Sequence, residues 1–382
     1  MRLGLDITPL TRRPSGVGTY VRQVLAHLPP LLAPGDALLG WATGLHVPCG
    51  APPEMRVRHL PLPTRAVYAC WSAAGFPCPD TLLGGLDVFH ATNYFLPPVR
   101  RARRVLTIYD LAFLVEPRWA SPKVVDLFAR RVPDFAARAD AVITCSEHSR
   151  NDIVRLCGVP AEKVFVAHGA PDPALAPVER GAARARAAEL FGFDAPYVLH
   201  VGTVEPRKNL EPLLQAFAQA CKGRPHRLVL VGAPGWGMDA FHAAAARENL
   251  GDRLIMAGYL PRREDLAAVY SAADLFVLPS HYEGFGLPLA EAMACGCPAV
   301  ASESSCLPEV GGDAALYFPP ADADALAARI SEVLDTPDLA ERLRAQGPAQ
   351  AARFTWAETA RRTLDVRSEE RRVGKECRSR WS

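Results

Sequence analysis

No uninterrupted apolar run in the 382 residues approaches the roughly 18 needed to cross a bilayer as a helix, so no transmembrane span is expected. The start, Met1-Arg2-Leu3-Gly4-Leu5-Asp6, is not followed by a long apolar core, and it reads as a first buried strand rather than a signal peptide. The ten cysteines have no repeating spacing. Cys295-Gly296-Cys297 lacks the two-residue gap of a zinc knuckle and has no partner pair, which leaves ordinary reduced thiols and a cytoplasmic location. Neither Gly16-Val17-Gly18 nor Gly284-Phe285-Gly286 has the third glycine of a dinucleotide fingerprint, which argues against a NAD-dependent oxidoreductase. No internal repeat is strong enough to define a solenoid. Excess charge is also missing: the formal net is +2. That small net hides an uneven distribution, with 19 Lys/Arg against 14 Asp/Glu in residues 1–172 and 18 against 24 in 173–366. This pattern argues against a general nucleic-acid binder, and it allows the first half to approach an anionic lipid surface or a phosphorylated acceptor.

What is present is alternation. Length predicts two or three domains, and the 35 prolines predict many stiff loops. Strands are expected at Leu3–Ile7, Ala37–Trp41, Arg56–Leu60, Val88–Ala91, Val105–Tyr109, Ala141–Cys145 and Val164–Ala167. Helical patterns separate several of them, most clearly Lys123–Arg138 and Ser146–Cys157, the latter with Ser146 as N-cap. A second series follows, with strands at Tyr197–Val201, Arg227–Val231, Leu254–Ala257, Asp274–Leu278 and Ala299–Ala301. Strands alternating with helices imply an α/β chain with two mostly parallel, doubly wound, Rossmann-like domains. The boundaries read as 1–172, a linker at 173–195, 196–350, and a helix at 351–366. A crevice between two such domains is the default place for a site.

Glu283-Gly284-Phe285-Gly286-Leu287-Pro288-Leu289-Ala290-Glu291 joins a strand to a helix that Pro288 helps to start. A helix N-terminus offers N–H groups and positive dipole to phosphate, and glycines allow close approach of a ligand. Glu283 falls in the loop and Glu291 near the first turn, flanking one pocket. The second domain opens with Gly202-Thr203-Val204-Glu205-Pro206-Arg207-Lys208-Asn209, again between strand and helix, with Asn209 as the natural N-cap. Adjacent cations beside a helix start suit a diphosphate, Arg207 through paired hydrogen bonds and Lys208 as a compact charge. In the first domain, Gly16 and Gly18 stand in a loop between strand and helix. His90, Asn93, Tyr109 and Asp110 stand at strand ends, where ligands bind in open sheets. Asp322-Ala323-Asp324 has the spacing of a metal-binding Asp-x-Asp, but it precedes a helix pattern and reads as a cap. No metal is expected.

With these motifs in place, the chain resembles the retaining, nucleotide-sugar-dependent glycosyltransferases of family 4, which have the GT-B fold. The resemblance runs from Gly16-Val17-Gly18 to Phe354-Thr355-Trp356 and is most specific at Glu205-Pro206-Arg207-Lys208-Asn209 and at Glu283-x7-Glu291. Phe89-His90-Ala91-Thr92-Asn93 and Thr107-Ile108-Tyr109-Asp110-Leu111 resemble mannosyltransferase-like enzymes of bacterial surface-polysaccharide pathways. The resemblance implies that Arg207 and Lys208 bind the donor diphosphate, with Thr203 and the backbone of Gly284, Phe285, Gly286 and Leu287 beside it. It implies that Glu291 binds the ribose and that Glu283 lies against the transferred sugar. It also places Gly16 to Gly18 over the donor and Tyr259 and Leu260 beside the nucleobase. GDP-mannose is the donor it suggests, UDP- and dTDP-sugars staying open, with a glycan or lipid-linked glycan as acceptor and no cofactor; the basic first half allows peripheral contact with the inner membrane face. The resemblance further implies that the last helix returns to the first domain. The family commonly has histidine where this chain has Tyr109, which leaves open an altered acceptor choice, a reduced activity or a shift of that role to Asp110. An epimerase or phosphorylase on the same fold, or a catalytically weak binding subunit, are the rival readings.

After Val366 the pattern breaks. Arg367-Ser368-Glu369-Glu370-Arg371-Arg372-Val373-Gly374-Lys375 resembles the translation of a short-read sequencing adapter. Residues 367–382 are therefore expected to be foreign, the return helix to be cut short, and Cys377 to lack a packed environment.

Overall fold

The computed structural model describes residues 1–11 and 16–379, with the side chains of the last helix described as far as Arg367. Arg12 to Ser15 of the first glycine loop, and the side chain of Cys377, lie outside the described residues. The chain forms two compact units. One comprises Met1–Leu114, Lys123–Gly169 and the segment from Thr355 onward; the other comprises Val115–Pro122 and Ala170–Phe354.

The first unit holds seven parallel strands: β1 Arg2–Asp6, β2 Ala37–Thr43, β3 Arg56–Leu60, β4 Val88–Ala91, β5 Arg103–Thr107, β6 Ala141–Thr144 and β7 Val164–Val166. Their order is β3-β2-β1-β4-β5-β6-β7. The second unit has β8 Tyr197–Val201, β9 Arg227–Val231, β10 Leu254–Gly258, β11 Leu275–Leu278, β12 Ala299–Ser302 and β13 Leu316–Phe318, in the order β10-β9-β8-β11-β12-β13. All recorded strand pairs are parallel. Strands covered on both faces are mostly apolar, and β4, β6, β11 and β12 are buried at every position. β13 has only three residues and a polar lead-in, so no sequence pattern announced it.

In both sheets the strand order reverses once, beside β1 in the first and beside β8 in the second. Ligands of open α/β sheets bind at the carboxyl ends of strands flanking such a reversal. In the second sheet those strands are β8 and β11, paired through Val198–Leu275 and Leu199–Phe276. β8 runs into Gly202 to Asn209, and β11 runs into Pro279 to Gly286. The topology therefore brings together two motifs about 75 residues apart in sequence.

Several local expectations need correction. The stretch read as a linker contains a full helix, Arg180–Phe191, whose N-cap Glu179 accepts from Gly181 and Ala182; it packs on Arg263–Ala272. Two of its alanines, Ala183 and Ala187, form its buried face, which is why composition resembled a spacer. The helix expected over Lys123–Arg138 is two, Pro122–Phe128 and Arg131–Arg138. Ser146 is an N-cap as its residue type suggests, accepting from the Ser149 N–H at 3.1 Å. The last helix, Trp356–Ser379, belongs to the first unit, where Trp356 meets Tyr20 edge to face and Thr359 Oγ1 donates to the His168 carbonyl. Among the described residues, no helix is long and apolar enough to cross a membrane.

Candidate active site

The loop after β11 and the turn after β8 meet through charge. Lys208 Nζ donates to Glu283 Oε1 at 2.6 Å, and Arg207 Nη1 donates to Glu283 Oε2 at 2.9 Å. Arg207 also donates from Nη1 to the Tyr282 carbonyl at 2.7 Å, and from Nε and Nη2 to Glu205 Oε1 at 3.1 and 2.9 Å. Lys208 and Glu283 are buried. Burial alone would raise the Glu283 carboxyl, but Arg207 and Lys208 overcome it and hold the group at about 2. Sequence spacing led to cations open to a diphosphate; the fold instead gives each an internal carboxylate. Asn209 stands at the N-cap position as expected, but in the left-handed region (φ 53°) and with no side-chain capping bond: its amide donates to the Pro279 and Pro320 carbonyls. It ties the two loops together instead.

Three residues that sequence reading passed over complete this cluster. Ser280 Oγ donates to Glu283 Oε1 at 2.7 Å, and Ser305 Oγ accepts from the Glu283 N–H at 2.9 Å. His200, on β8, is fully buried, and its Nδ1 lies 3.0 Å from the Val277 carbonyl. Its Nε2 has no partner among the described residues, and burial followed by the Lys208 charge lowers its pKa to about 4. A histidine inside an apolar strand gives no sequence signal of this. The loop after β9 was missed as well. A Cβ on Gly232 (φ 154°) would stand 1.9 Å from the Gly202 carbonyl oxygen, so only glycine lets that loop lie on the turn after β8.

The helix Leu287–Ala294 starts after Gly286, which has φ 82° and where a Cβ would come within 2.7 Å of Leu307. Pro288 is in its first turn, where its missing N–H costs nothing. Gly284 and Phe285 are buried ahead of it, and Leu287 is partly exposed. Glu291 is buried, and Tyr270 Oη donates to its Oε2 at 3.3 Å. Burial raises Glu291 to about 7; Arg263 opposes this and Asp172 adds to it. Arg263 and Asp172 are themselves 3.2 Å apart. Glu283 and Glu291 thus differ sharply, one a fixed anion among cations and the other a carboxyl that exchanges its proton near neutrality. Thr203 is exposed, as is Tyr259 after β10, while Leu260 is partly exposed.

In the first unit, the expected site residues are mostly engaged by the fold. Gly16 and Gly18 lie inside helix Gly16–His27, not in a loop before it. His90 is buried on β4, with Nε2 2.7 Å from Thr107 Oγ1 and Nδ1 against Arg367; burial and then the Arg367 charge push its pKa well down. Tyr109 is buried, donates to the Thr92 carbonyl at 2.8 Å, and meets Tyr20 and Tyr94 edge to face. Burial raises its pKa well above the ordinary value, so it is a fixed donor and no base. Asp110 Oδ1 accepts from the Ala112 N–H at 3.2 Å, at the start of helix Ala112–Val115. Asn93 is partly exposed beyond β4. Arg367, read as foreign, is buried against His90. Its Nε and Nη1 have no partner among the described residues, an unfavourable state for an interior guanidinium.

Asp322 caps helix Ala323–Asp335, accepting from the Ala325 N–H at 2.8 Å. Among the described residues no three His, Cys, Asp or Glu side chains are grouped to hold a metal ion.

Residues 183–350 match the family model described as glycosyl transferases group 1. The O-antigen chain mannosyltransferase B of Escherichia coli is 34% identical over 281 residues, 73% of each chain. The D-inositol 3-phosphate glycosyltransferase of Nocardia farcinica is 34% identical over 393 residues, covering 93% of this chain and 81% of that protein. The chain spans about a third of the length of the serotype-specific mannosyltransferase WbdA of Escherichia coli, to which it is 27% identical. Among solved structures, the sucrose-phosphate synthase of Thermosynechococcus elongatus superposes with a TM-score of 0.76 at 23% identity, covering 98% and 99% of the two chains. Anabaena HepE, in complex with UDP and glucose, gives 0.73 at 18% identity over 96% and 99%. These two establish the GT-B fold. With two parallel α/β sheets, a charged cluster at one strand-order reversal and relatives of this closeness, the chain belongs to the group 1 glycosyl transferases, as a hexosyltransferase.

Proposed function

We propose that the protein moves mannose from GDP-mannose to a glycan or lipid-linked glycan of a bacterial surface polysaccharide, keeping the anomeric configuration. The observation that carries this reading is the convergence of Arg207 and Lys208 on Glu283 beside the start of helix Leu287–Ala294. In this reading the donor diphosphate takes over hydrogen bonds of Arg207 and Lys208, beside Thr203 and the backbone from Gly284 to Leu287. Glu291 accepts from the ribose hydroxyls, and Tyr259 and Leu260 border the base. Breaking the donor C1–O bond places positive charge on the sugar and negative charge on the departing diphosphate. Fixed cations and a helix dipole stabilise that negative charge more in the transition state than in the ground state. The Glu283 carboxylate, held ionised by its cations, faces the sugar's positive charge. No metal or other cofactor takes part in this reading. Mannose, and not another hexose, is suggested by the mannosyltransferase relatives.

Work at the cytoplasmic face of the inner membrane, with peripheral contact, fits the first unit. Between Glu54 and Asp80 there is no acidic residue, while Arg56, Arg58 and Arg65 are present and Val57, Leu62 and Phe76 are exposed. The deciding experiment is a thermal-shift panel of nucleotide sugars and nucleoside diphosphates, since a ligand raises apparent stability by mass action. GDP-mannose and GDP should give the largest shifts, and Lys208→Ala should reduce them. No shift with any member at saturating concentration would refute the proposal.

A further inference from the structure

We propose that Trp119 is a positioning residue for the Arg207 clamp, an inference that rests on the donor-diphosphate reading of that clamp. Residues Val115–Pro122 come from the first half of the sequence, yet they fold with the second unit. Their short 3-10 turn, Pro117–Trp119, lies against the turn Pro206–Lys208 that bears Arg207 and Lys208. The Trp119 indole stacks on the His281 ring, with centroids 5.0 Å apart and planes 9° apart, and stands 6.4 Å from Tyr282.

His281 and Tyr282 each bond Arg207, beside its carboxylate partners Glu205 and Glu283. The His281 N–H donates to the Arg207 carbonyl at 2.9 Å, and Arg207 Nη1 donates to the Tyr282 carbonyl at 2.7 Å. Ser304 Oγ donates to the His281 carbonyl. The Tyr282 carbonyl thus takes one bond of a guanidinium that Glu205 and Glu283 also hold, the His281 N–H fixes the Arg207 main chain, and the indole covers that two-residue stretch. Both rings are partly buried, and burial lowers the His281 pKa, so a neutral imidazole meets the indole at neutral pH. A flat aromatic contact restrains the loop without competing for the Arg207 hydrogen bonds, as a charged neighbour would.

The test uses calorimetry with GDP and guanosine, and in parallel with UDP and uridine, on the full chain. Trp119→Ala should weaken diphosphate binding by about threefold to tenfold, the usual worth of an aromatic pair, and leave nucleoside binding unchanged. Trp119→Phe, which keeps a stacking ring, should stay within about twofold of wild type. Arg207→Ala should show a larger selective loss, and adding Trp119→Ala to it should weaken binding no further, because the two act through one guanidinium. Unchanged diphosphate affinity in Trp119→Ala, or an equal loss for the nucleoside, would overturn the proposal. A wild-type protein that binds nucleoside and nucleoside diphosphate equally would instead overturn the donor-site reading beneath it.

Discussion

Replacing Glu283 by glutamine probes the site at its electrostatic centre. Arg207 and Lys208 face Glu205 and Glu283, so two formal positive charges meet two negative ones, and the cluster is neutral before a ligand arrives. A diphosphate bound as proposed would share those cations with Glu283, whose Oε1 stands 2.6 Å from Lys208 Nζ. A phosphate oxygen on the far side of that ammonium would be about 5 Å from the carboxylate, and at an effective dielectric of about 20 the repulsion is about 3 kcal/mol per unit charge. Glutamine removes the charge and keeps the volume, so nucleoside-diphosphate binding should tighten by up to about 100-fold. The ligand-free variant should also be less stable, because Lys208 then keeps a buried charge without its carboxylate. In the wild type the Glu283 carboxyl is held at about 2 against an ordinary 4.5, so its contribution is present above about pH 4.5 and fades as the pH falls through 2. Calorimetry with GDP and UDP, thermal melting with and without them, and transfer from GDP-mannose form the assay. The expected pattern is a lower melting temperature, a larger ligand-induced shift, and transfer reduced by at least about 100-fold. Weaker or unchanged diphosphate binding would refute the charge-balance reasoning, and unchanged transfer would remove Glu283 from the reacting sugar.

Three further outcomes follow from other buried groups. Glu291 has a folded pKa of about 7 against 4.5, so its contribution to stability is full below about pH 4.5 and lost as the pH rises through 7. Urea unfolding of wild type and Glu291→Gln should therefore diverge between pH 5 and 8 by about 3 kcal/mol in favour of the variant; parallel curves would count against a raised carboxyl. Arg367→Met should stabilise the protein by about 1–3 kcal/mol, because it removes a buried cation two of whose donors have no partner among the described residues; loss of stability would show that the guanidinium is satisfied in solution. Tyr109→Phe should lower stability by about 1 kcal/mol through the lost bond to Thr92 and leave the pH profile of transfer unchanged; a shifted profile would give the phenol a proton-transfer role.

The strands and the two motif positions were legible because their physics is local. β3, β4, β8 and β9 have the limits expected of them, and Pro288 and Ser146 mark helix starts, Pro288 through its ring-fixed backbone and Ser146 through its hydroxyl. The motif Glu205 to Asn209 and the pair Glu283 and Glu291 stood out by residue type and spacing. Less legible was the helix Arg180–Phe191, since alanine suits both a spacer and a tightly packed face.

By itself, then, the sequence determined two parallel α/β units and a charged strand-to-helix junction in the second, because apolar period, turn residues and caps act over a few positions. Only the tertiary structure decided what those charges do. Strand order set β8 beside β11, which closed Arg207 and Lys208 onto Glu283 and made the cluster neutral. It also separated two glutamates of the same motif by chemistry, holding Glu283 ionised at about 2 and raising Glu291 to about 7. It buried Tyr109 as a donor to Thr92, and it carried Trp119 from the first half of the chain onto His281. Such outcomes depend on which residues distant in sequence become neighbours, and on how completely water is removed from between them.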